Sequence, residues 1–191
     1  SARDTATGDD EPGRIINLLV DAEARDRVAV TDLRLIAAQA SSTVRLHFDD
    51  HFVPAEQVVS AIPHPDFLAN QHISARVNGS LALGIAGRCI RLIGAAGETG
   101  TATALRAEQD AIRCSLDDGL AAPDALPAAR AAASEFAHRA ACALVVAVGS
   151  SGILARSHPQ RLVREATFTL VAAGRPEIRN GLLDALTQPR S

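Results

Sequence analysis

The sequence predicts a mainly α protein: a C-terminal antiparallel bundle of four or five helices preceded by a partial β-domain of about three strands. Two observations predict this class. Apolar residues recur with a helical period from about residue 66 onward, whereas residues 14–48 contain short segments rich in β-branched residues. Glycine and proline separate the helical segments at short intervals, which favours antiparallel packing. We therefore predict a β-domain over residues 1–62 and a helical domain over residues 63–191.

The predicted strands lie near the N-terminus, at RIINLLV (14–20), RVAVTDLRL (27–35) and TVRLHF (43–48). In the third segment Val44, Leu46 and Phe48 alternate with polar residues, as in a half-buried strand. Three strands cannot close a barrel or a sandwich by themselves. We therefore expect the end of a larger β-domain, or a sheet that another chain completes.

The first long helix is predicted to begin near Asp66, which suits an N-cap, and to end at GAAGETG. Its apolar residues repeat mostly every four positions, which predicts that they face the core: Ile73, Val77, Leu81, Ile85 and Leu92. Gly79, Gly84 and Gly87 are expected to allow close approach of a neighbouring helix.

Four more helices are predicted, three of them over 101–120, 127–148 and 159–172, and a short one from Pro176 onward. Pro127 and Pro159 suit the first turns of the middle two, and Gly174 ends the last of the three. The residues expected to face the core are Leu105, Ile112, Leu116, Leu120, Phe136, Ala140, Leu144, Val148, Ile178, Leu182 and Leu186.

Composition excludes several functions. All 19 cationic Lys or Arg residues are Arg, so a P-loop, a pyridoxal Schiff base and a catalytic lysine are impossible. Five Phe are the only aromatic residues, and the net charge is −3, so we expect no nucleic-acid partner. Cys89, Cys114 and Cys142 have no ligand spacing and lie in segments with apolar periodicity, which indicates buried free thiols in a reducing compartment. No uninterrupted apolar run of about 18–20 residues occurs, so we expect a cytoplasmic protein without a membrane span.

Local motifs add no self-evident active site. GAAGETG follows a helix rather than a strand, so a helix end explains it better than a phosphate loop. His47, Asp49 and His51 could share one face of a strand, but nothing else supplies a second shell, and no metal site is predicted.

Five segments resemble, in the same order, the acyl-CoA dehydrogenase family. The run SSTVRLHFDDHFVPAEQVV (41–59) resembles the end of that family's central β-domain. The family's C-terminal helices are similar to ARVNGSLALGIAGRCIRL (75–92), RAEQDAIRCSLDDGL (106–120), FAHRAACALVVAVGSSGI (136–153) and HPQRLVREATFTLVAAGRPEIRNGLLDAL (158–186). The resemblance implies that the rest of the sheet and an N-terminal helical domain lie upstream.

The resemblance also implies an FAD enzyme in which a glutamate removes the α-proton of an acyl-CoA while the β-hydrogen passes to flavin as hydride. Aligned on Arg164-Glu165-Ala166 and Gly174, Ala173 takes the glutamate position, so the chain has no catalytic base there. A second family arrangement puts the base near the start of the first helix of the bundle, where His72 is the weak candidate.

Further family contacts are carried over by position. Residues 98–101 match the place of an arginine and a phenylalanine that reach the neighbouring subunit's FAD, but have neither. Gly149, Ser150 and Gly152 are the candidates for flavin-diphosphate binding, and Arg76 is the candidate near the acyl-CoA site.

We therefore expect an acyl-CoA dehydrogenase-like protein that is non-catalytic or depends on a partner subunit, as in family heteromers of fatty acid or steroid catabolism. The alternatives are a fragment of a longer active FAD-dependent enzyme and a related flavin-dependent monooxygenase. A homo-oligomer or a heteromer is expected, because Leu144, Val145, Val146 and Val148 make one helix apolar over a wide face.

Overall fold

The structure is a computed structural model that describes residues 2–3, 13–21, 23, 26–172 and 174–187. It divides into two units, residues 1–71 and residues 72–191. The boundary follows Gln71, the first residue of the longest helix, whereas the sequence places the change of domain after residue 62. The first unit contains the strands and the second contains the bundle.

The first unit contains two small antiparallel sheets. One has the strand order β1 (Ala2–Arg3), β2 (Arg14–Leu18) and β5 (Val58–Pro63), and the other pairs β3 (Val28–Asp32) with β4 (Val44–Phe48). The three predicted strands are therefore confirmed. The sequence analysis missed β5, because its partner β2 lies more than 40 residues earlier and pairs Ile15 with Ile62.

Helix α1 (His64–Ala69) follows β5 directly. The predicted N-cap at Asp66 is wrong, because the helix begins after Pro63 and Asp66 lies in its first turn. Its carboxylate still suits that position, since the free N–H groups of a first turn favour negative charge.

The second unit is built from five longer helices, whose bounds are α2 (Gln71–Ala95), α3 (Thr99–Asp118), α4 (Leu126–Val148), α5 (His158–Val171) and α6 (Pro176–Thr187). The predicted bundle is confirmed, with helix ends within three residues of those expected for α3, α4 and α5. Pro127 and Pro159 lie in first turns, and Ser157 caps α5 by accepting from the Gln160 N–H.

Helix α4 lies at the centre of the bundle, in contact with α3, α5 and α6. Its Phe136 and Leu144 are fully buried together with Ile90 and Ile93 of α2 and Leu116 of α3. The expected wide apolar face of α4 is therefore only partly exposed: Leu144 belongs to the core, whereas Val146 is 81% exposed.

The predicted core face of α2 is confirmed at Ile85 and Leu92, which pack half-buried against the core, and is wrong in the N-terminal half of the helix. Ile73, Val77 and Leu81 are 51–59% exposed, and the buried face carries smaller residues with Leu83, Ile90 and Ile93. Both faces of this helix are apolar in sequence, so the period alone could not choose between them. The predicted inward positions of Leu120 and Leu186 are also wrong, since both are exposed.

One segment within the described residues, Pro123–Ile153, is long and apolar enough to cross a membrane by length and composition. It contains α4, whose interior position in the bundle accounts for much of its apolar surface. A core helix passes the same test as a membrane span, so the finding is weak evidence for one.

Candidate functional site

The turn between α4 and α5 contains the three residues predicted to approach a diphosphate. Gly149 ends α4 with φ 67° and ψ −147°, a conformation that side chains disfavour. A Cβ built there would meet nothing within 4 Å, so the glycine is needed for backbone conformation rather than for space. Ser150 beside it is exposed.

Gly152 is buried inside this turn. A Cβ at this position would lie 2.9 Å from Val148 Cγ2 and 3.0 Å from the Val145 carbonyl oxygen. The Gly152 carbonyl accepts from Ser157 Oγ at 3.2 Å and from Gln160 Nε2 at 2.8 Å. Contacts within the bundle therefore account for this glycine without a ligand.

A cavity of about 430 Å³ lies beside the turn, between the C-terminal ends of α2 and α4 and the start of α5. Its walls are mainly apolar, and His158 is the one titratable side chain among them. Desolvation, followed by the positive charges of Arg161 and Arg88, lowers the pKa of His158. The lowered pKa favours the neutral imidazole, so the cationic charge beside this cavity comes from Arg161 and Arg88.

The turn between α5 and α6 is tied to α4 by a buried arginine that the sequence analysis missed. Arg130 is 2% exposed, and its guanidinium donates to the Thr169 carbonyl at 3.0 Å and the Ala172 carbonyl at 3.4 Å. These carbonyls end α5, where the helix dipole favours a cation. Ala173, the next residue, lies outside the described residues. The sequence feature that could have drawn attention to Arg130 is its i, i+4 spacing from Ser134, to which its guanidinium donates a hydrogen bond.

Arg76 already has a partner within the bundle. Its guanidinium contacts Asp117 of α3 at 2.8 Å through Nε and 2.5 Å through Nη2, and also Ser80. His72, one turn earlier on α2, is half-buried and has contacts of its own. Among the described residues, no group of three His, Cys, Asp or Glu side chains is placed to hold a metal ion.

Comparison with known proteins identifies this architecture. No protein-family profile and no curated protein matches the chain, but solved structures do. Acyl-CoA dehydrogenase from Geobacillus kaustophilus matches 90% of this chain with 52% of its own, at 16% identity and a TM-score of 0.68. Butyryl-CoA dehydrogenase from Megasphaera elsdenii matches 85% with 49% of its own, at 18% identity and a TM-score of 0.64.

The chain has the fold of the C-terminal part of an acyl-CoA dehydrogenase. It spans about half the length of the solved structures that it matches. The same fold occurs in KijD3, solved in complex with FMN and dTDP-3-amino-2,3,6-trideoxy-4-keto-3-methyl-D-glucose. KijD3 matches 99% of this chain with 55% of its own, at 24% identity and a TM-score of 0.68.

Each candidate residue has a defined place in the bundle. His72 and Arg76 occupy the first turns of α2, the three candidate flavin residues form the α4–α5 turn, and Glu98 directly precedes α3. Glu98 is exposed, and residues 98–101 contain no cation. The start of α3 therefore offers a flavin diphosphate no side-chain cation.

Proposed function

We propose that the chain is an acyl-CoA dehydrogenase-like protein that is non-catalytic alone and depends on a partner subunit. In this proposal residues 1–62 are the end of the central β-domain and residues 63–191 are the helical domain. The observation that carries it is Ala173 at the position where the family resemblance expects the glutamate. A methyl group cannot accept the α-proton of a thioester.

The surroundings of this position support the proposal. No acidic residue occurs between Glu165 in α5 and Glu177 in α6. Two described side chains of α4, Arg130 and Ser134, reach the α5 end, and both donate to the Thr169 carbonyl, so neither is placed as a base. His72, the alternative candidate, lies at the start of the bundle, in the first turn of α2, whereas Ala173 follows α5.

Flavin binding also depends on a partner in this proposal. FAD is the cofactor that the fold family implies, and its diphosphate would need positive charge near the start of α3. Glu98 supplies negative charge there instead. If Gly149, Ser150 and Gly152 contribute, they do so through backbone groups of a turn whose glycines the bundle already requires.

An exposed apolar face supports an assembly. Ile73, Val77 and Leu81 form an i, i+4, i+8 stripe on α2 that the described residues leave more than half exposed. Such stripes are costly in water and are typical of interfaces. We therefore propose that the chain assembles as a homo-oligomer or within a heteromeric acyl-CoA dehydrogenase. In the heteromer, the partner subunit acts in the cytoplasm on an acyl-CoA of fatty acid or steroid catabolism.

The test is a flavin and dye assay on the purified chain. The chain is incubated with FAD, passed through gel filtration and then mixed with an acyl-CoA and an electron-accepting dye. We expect the chain to retain no stoichiometric yellow cofactor and to leave the dye unbleached. A glutamate-bearing acyl-CoA dehydrogenase assayed in parallel should retain the cofactor and bleach the dye. Bleaching by the isolated chain would overturn the proposal.

Two alternatives predict other results. If the chain is a fragment of a longer active enzyme that uses His72 as base, the longer protein bleaches the dye and His72→Gln abolishes bleaching, while His138→Gln on α4 does not. If it is a related flavin-dependent monooxygenase, which needs no glutamate, reduced flavin and O2 support product formation without acyl-CoA. The match to the FMN complex of KijD3 over 99% of the chain is the reason to include this monooxygenase assay.

A further inference from the structure

A second cavity, of about 280 Å³, lies between α2 and α3 and is lined by guanidinium groups. Its arginines come from both helices: Arg76 and Arg91 from α2, and Arg106 and Arg113 from α3. The other lining residues are Ser80, Leu83, Gly84, Gly87 and Gln109, so no carboxylate lines the cavity. We call this cavity the arginine groove.

The four charges of the arginine groove are only half neutralised. Arg76 pairs with Asp117, and Arg113 pairs with Asp110 at 2.7 Å. Among the described residues, Arg91 and Arg106 have neither a hydrogen bond nor an ion pair. Two guanidiniums therefore face one small cavity without a counter-ion, an arrangement that an anion would stabilise.

The floor of the groove is shaped by two glycines. A Cβ at Gly87 would lie 2.9 Å from Gln109 Nε2, so the missing side chain makes room for that amide, and Arg91 Nη1 lies 3.8 Å from the same point. Gln109 is buried, with 3% of its surface exposed, and its Nε2 donates to the Leu83 carbonyl at 2.7 Å, which fixes the side chain. A Cβ at Gly84 would meet nothing within 4 Å, so that part of the groove is open.

The helices run antiparallel, and their contacts order the arginines along the groove. Gly79 faces Leu116, and Leu83 faces Gln109, so the Arg76–Asp117 pair closes one end. Gly94 faces Ala102, which places Arg91 and Arg106 together at the other end. The uncompensated charge is therefore concentrated at one end rather than spread along the helices.

We propose that the arginine groove binds a diphosphate group, either as the free anion or as part of a nucleotide. A guanidinium presents N–H donors in a planar fork that matches phosphate oxygens in pairs. The volume is just below the ~300–1,000 Å³ of sites for drug-sized ligands, which suits a small anion held by its phosphates. Of the candidate site residues, Arg76 alone lines the groove, and it is paired with Asp117 at the end away from Arg91 and Arg106. The site therefore goes beyond the proposed function and does not depend on it.

The test is isothermal titration of the full chain with inorganic pyrophosphate and, separately, with ADP, in buffers matched with NaCl for ionic strength. We expect saturable 1:1 binding that weakens as salt rises. Equal affinity for both ligands would show that the diphosphate alone accounts for binding. Tighter binding of ADP would show that the site recognises a nucleotide. Absence of saturable binding of both ligands overturns the proposal.

Variants separate a built site from general electrostatic attraction. Arg91→Gln with Arg106→Gln should weaken binding at least tenfold, whereas the matched double variant Arg34→Gln with Arg45→Gln on the first unit should not. Gly84→Leu keeps every charge and places a side chain in the open part of the groove, so it should also weaken binding at least tenfold even if the arginine variant fails to fold. Undiminished binding to folded Gly84→Leu, or an equal loss in the Arg34 and Arg45 control, overturns the proposal.

Discussion

The contact between Gly79 of α2 and Leu116 of α3 allows a stability prediction that is worked from distances. A Cβ at Gly79 would lie 2.7 Å and 2.8 Å from the two Cδ atoms of Leu116, closer than carbon atoms can pack. Leu116 is fully buried, so it has little room to move away. The glycine therefore makes space for a leucine of the neighbouring helix.

The magnitudes follow from two opposing effects. Overpacking costs about 1–3 kcal/mol, and replacing a helical glycine by alanine returns about 1 kcal/mol. Gly79→Ala should therefore lower the free energy of unfolding by about 0–2 kcal/mol. Leu116→Ala should lower it by about 2–5 kcal/mol because it leaves a cavity. In that background Gly79→Ala should stabilise by about 1 kcal/mol, which gives a coupling energy of about 1–3 kcal/mol.

The assay is urea unfolding followed by far-ultraviolet circular dichroism, since the chain has no Trp or Tyr for fluorescence. Gly84→Ala is the matched control, because its Cβ would meet nothing within 4 Å. It should stabilise both backgrounds by about 1 kcal/mol. A coupling energy near zero, or equal stabilisation by Gly79→Ala and Gly84→Ala in the parent chain, would refute the reasoning.

Two further predictions concern single residues. Burial raises the pKa of the Cys89 thiol from 9.0 to about 12, so the folded state holds a proton that the unfolded state loses, and the free energy of unfolding should fall between pH 9 and 12. Urea unfolding repeated across this pH range should show the loss in the parent chain and not in Cys89→Ala. The expected burial of Cys114 and Cys142 is wrong, because both lie on exposed helix faces. Mass spectrometry at pH 8 should therefore find them alkylated before Cys89 in the native chain. Gly149→Ala should lower the free energy of unfolding by about 1–3 kcal/mol because of its positive φ, whereas Gly100→Ala, with open space and no such φ, should not. Equal urea midpoints for the two glycine variants would contradict the strain at Gly149.

The Gly149 prediction bears on how flavin contacts should be sought. A glycine carried over from a family motif invites a ligand explanation, yet Gly149 is required by its dihedral angles and Gly152 by its contacts with Val145 and Val148. Substitutions at either position would lower stability as well as any flavin affinity. Ser150, which is exposed, is the better position for a binding test.

Local sequence signals predicted the element order well. Period, proline and glycine located α3, α4 and α5 and the strands β2, β3 and β4, because each signal acts within a few residues of the element it defines. Strand β5 was missed because its pairing partner is remote in sequence. The exposed face of α2 was misassigned because Ile73, Val77 and Leu81 have the same period as the buried residues of the other face.

The amino-acid sequence by itself determined the five longer helices of the bundle, the resemblance to acyl-CoA dehydrogenases and the alanine at position 173, since these depend on residue identity and spacing. Only the tertiary structure decided that Arg76 is paired with Asp117 and that Arg91 and Arg106 face one cavity. Charges that are 15 residues apart in the chain become neighbours only when α2 and α3 pack antiparallel. Their partners, and hence their free charge, follow from that packing.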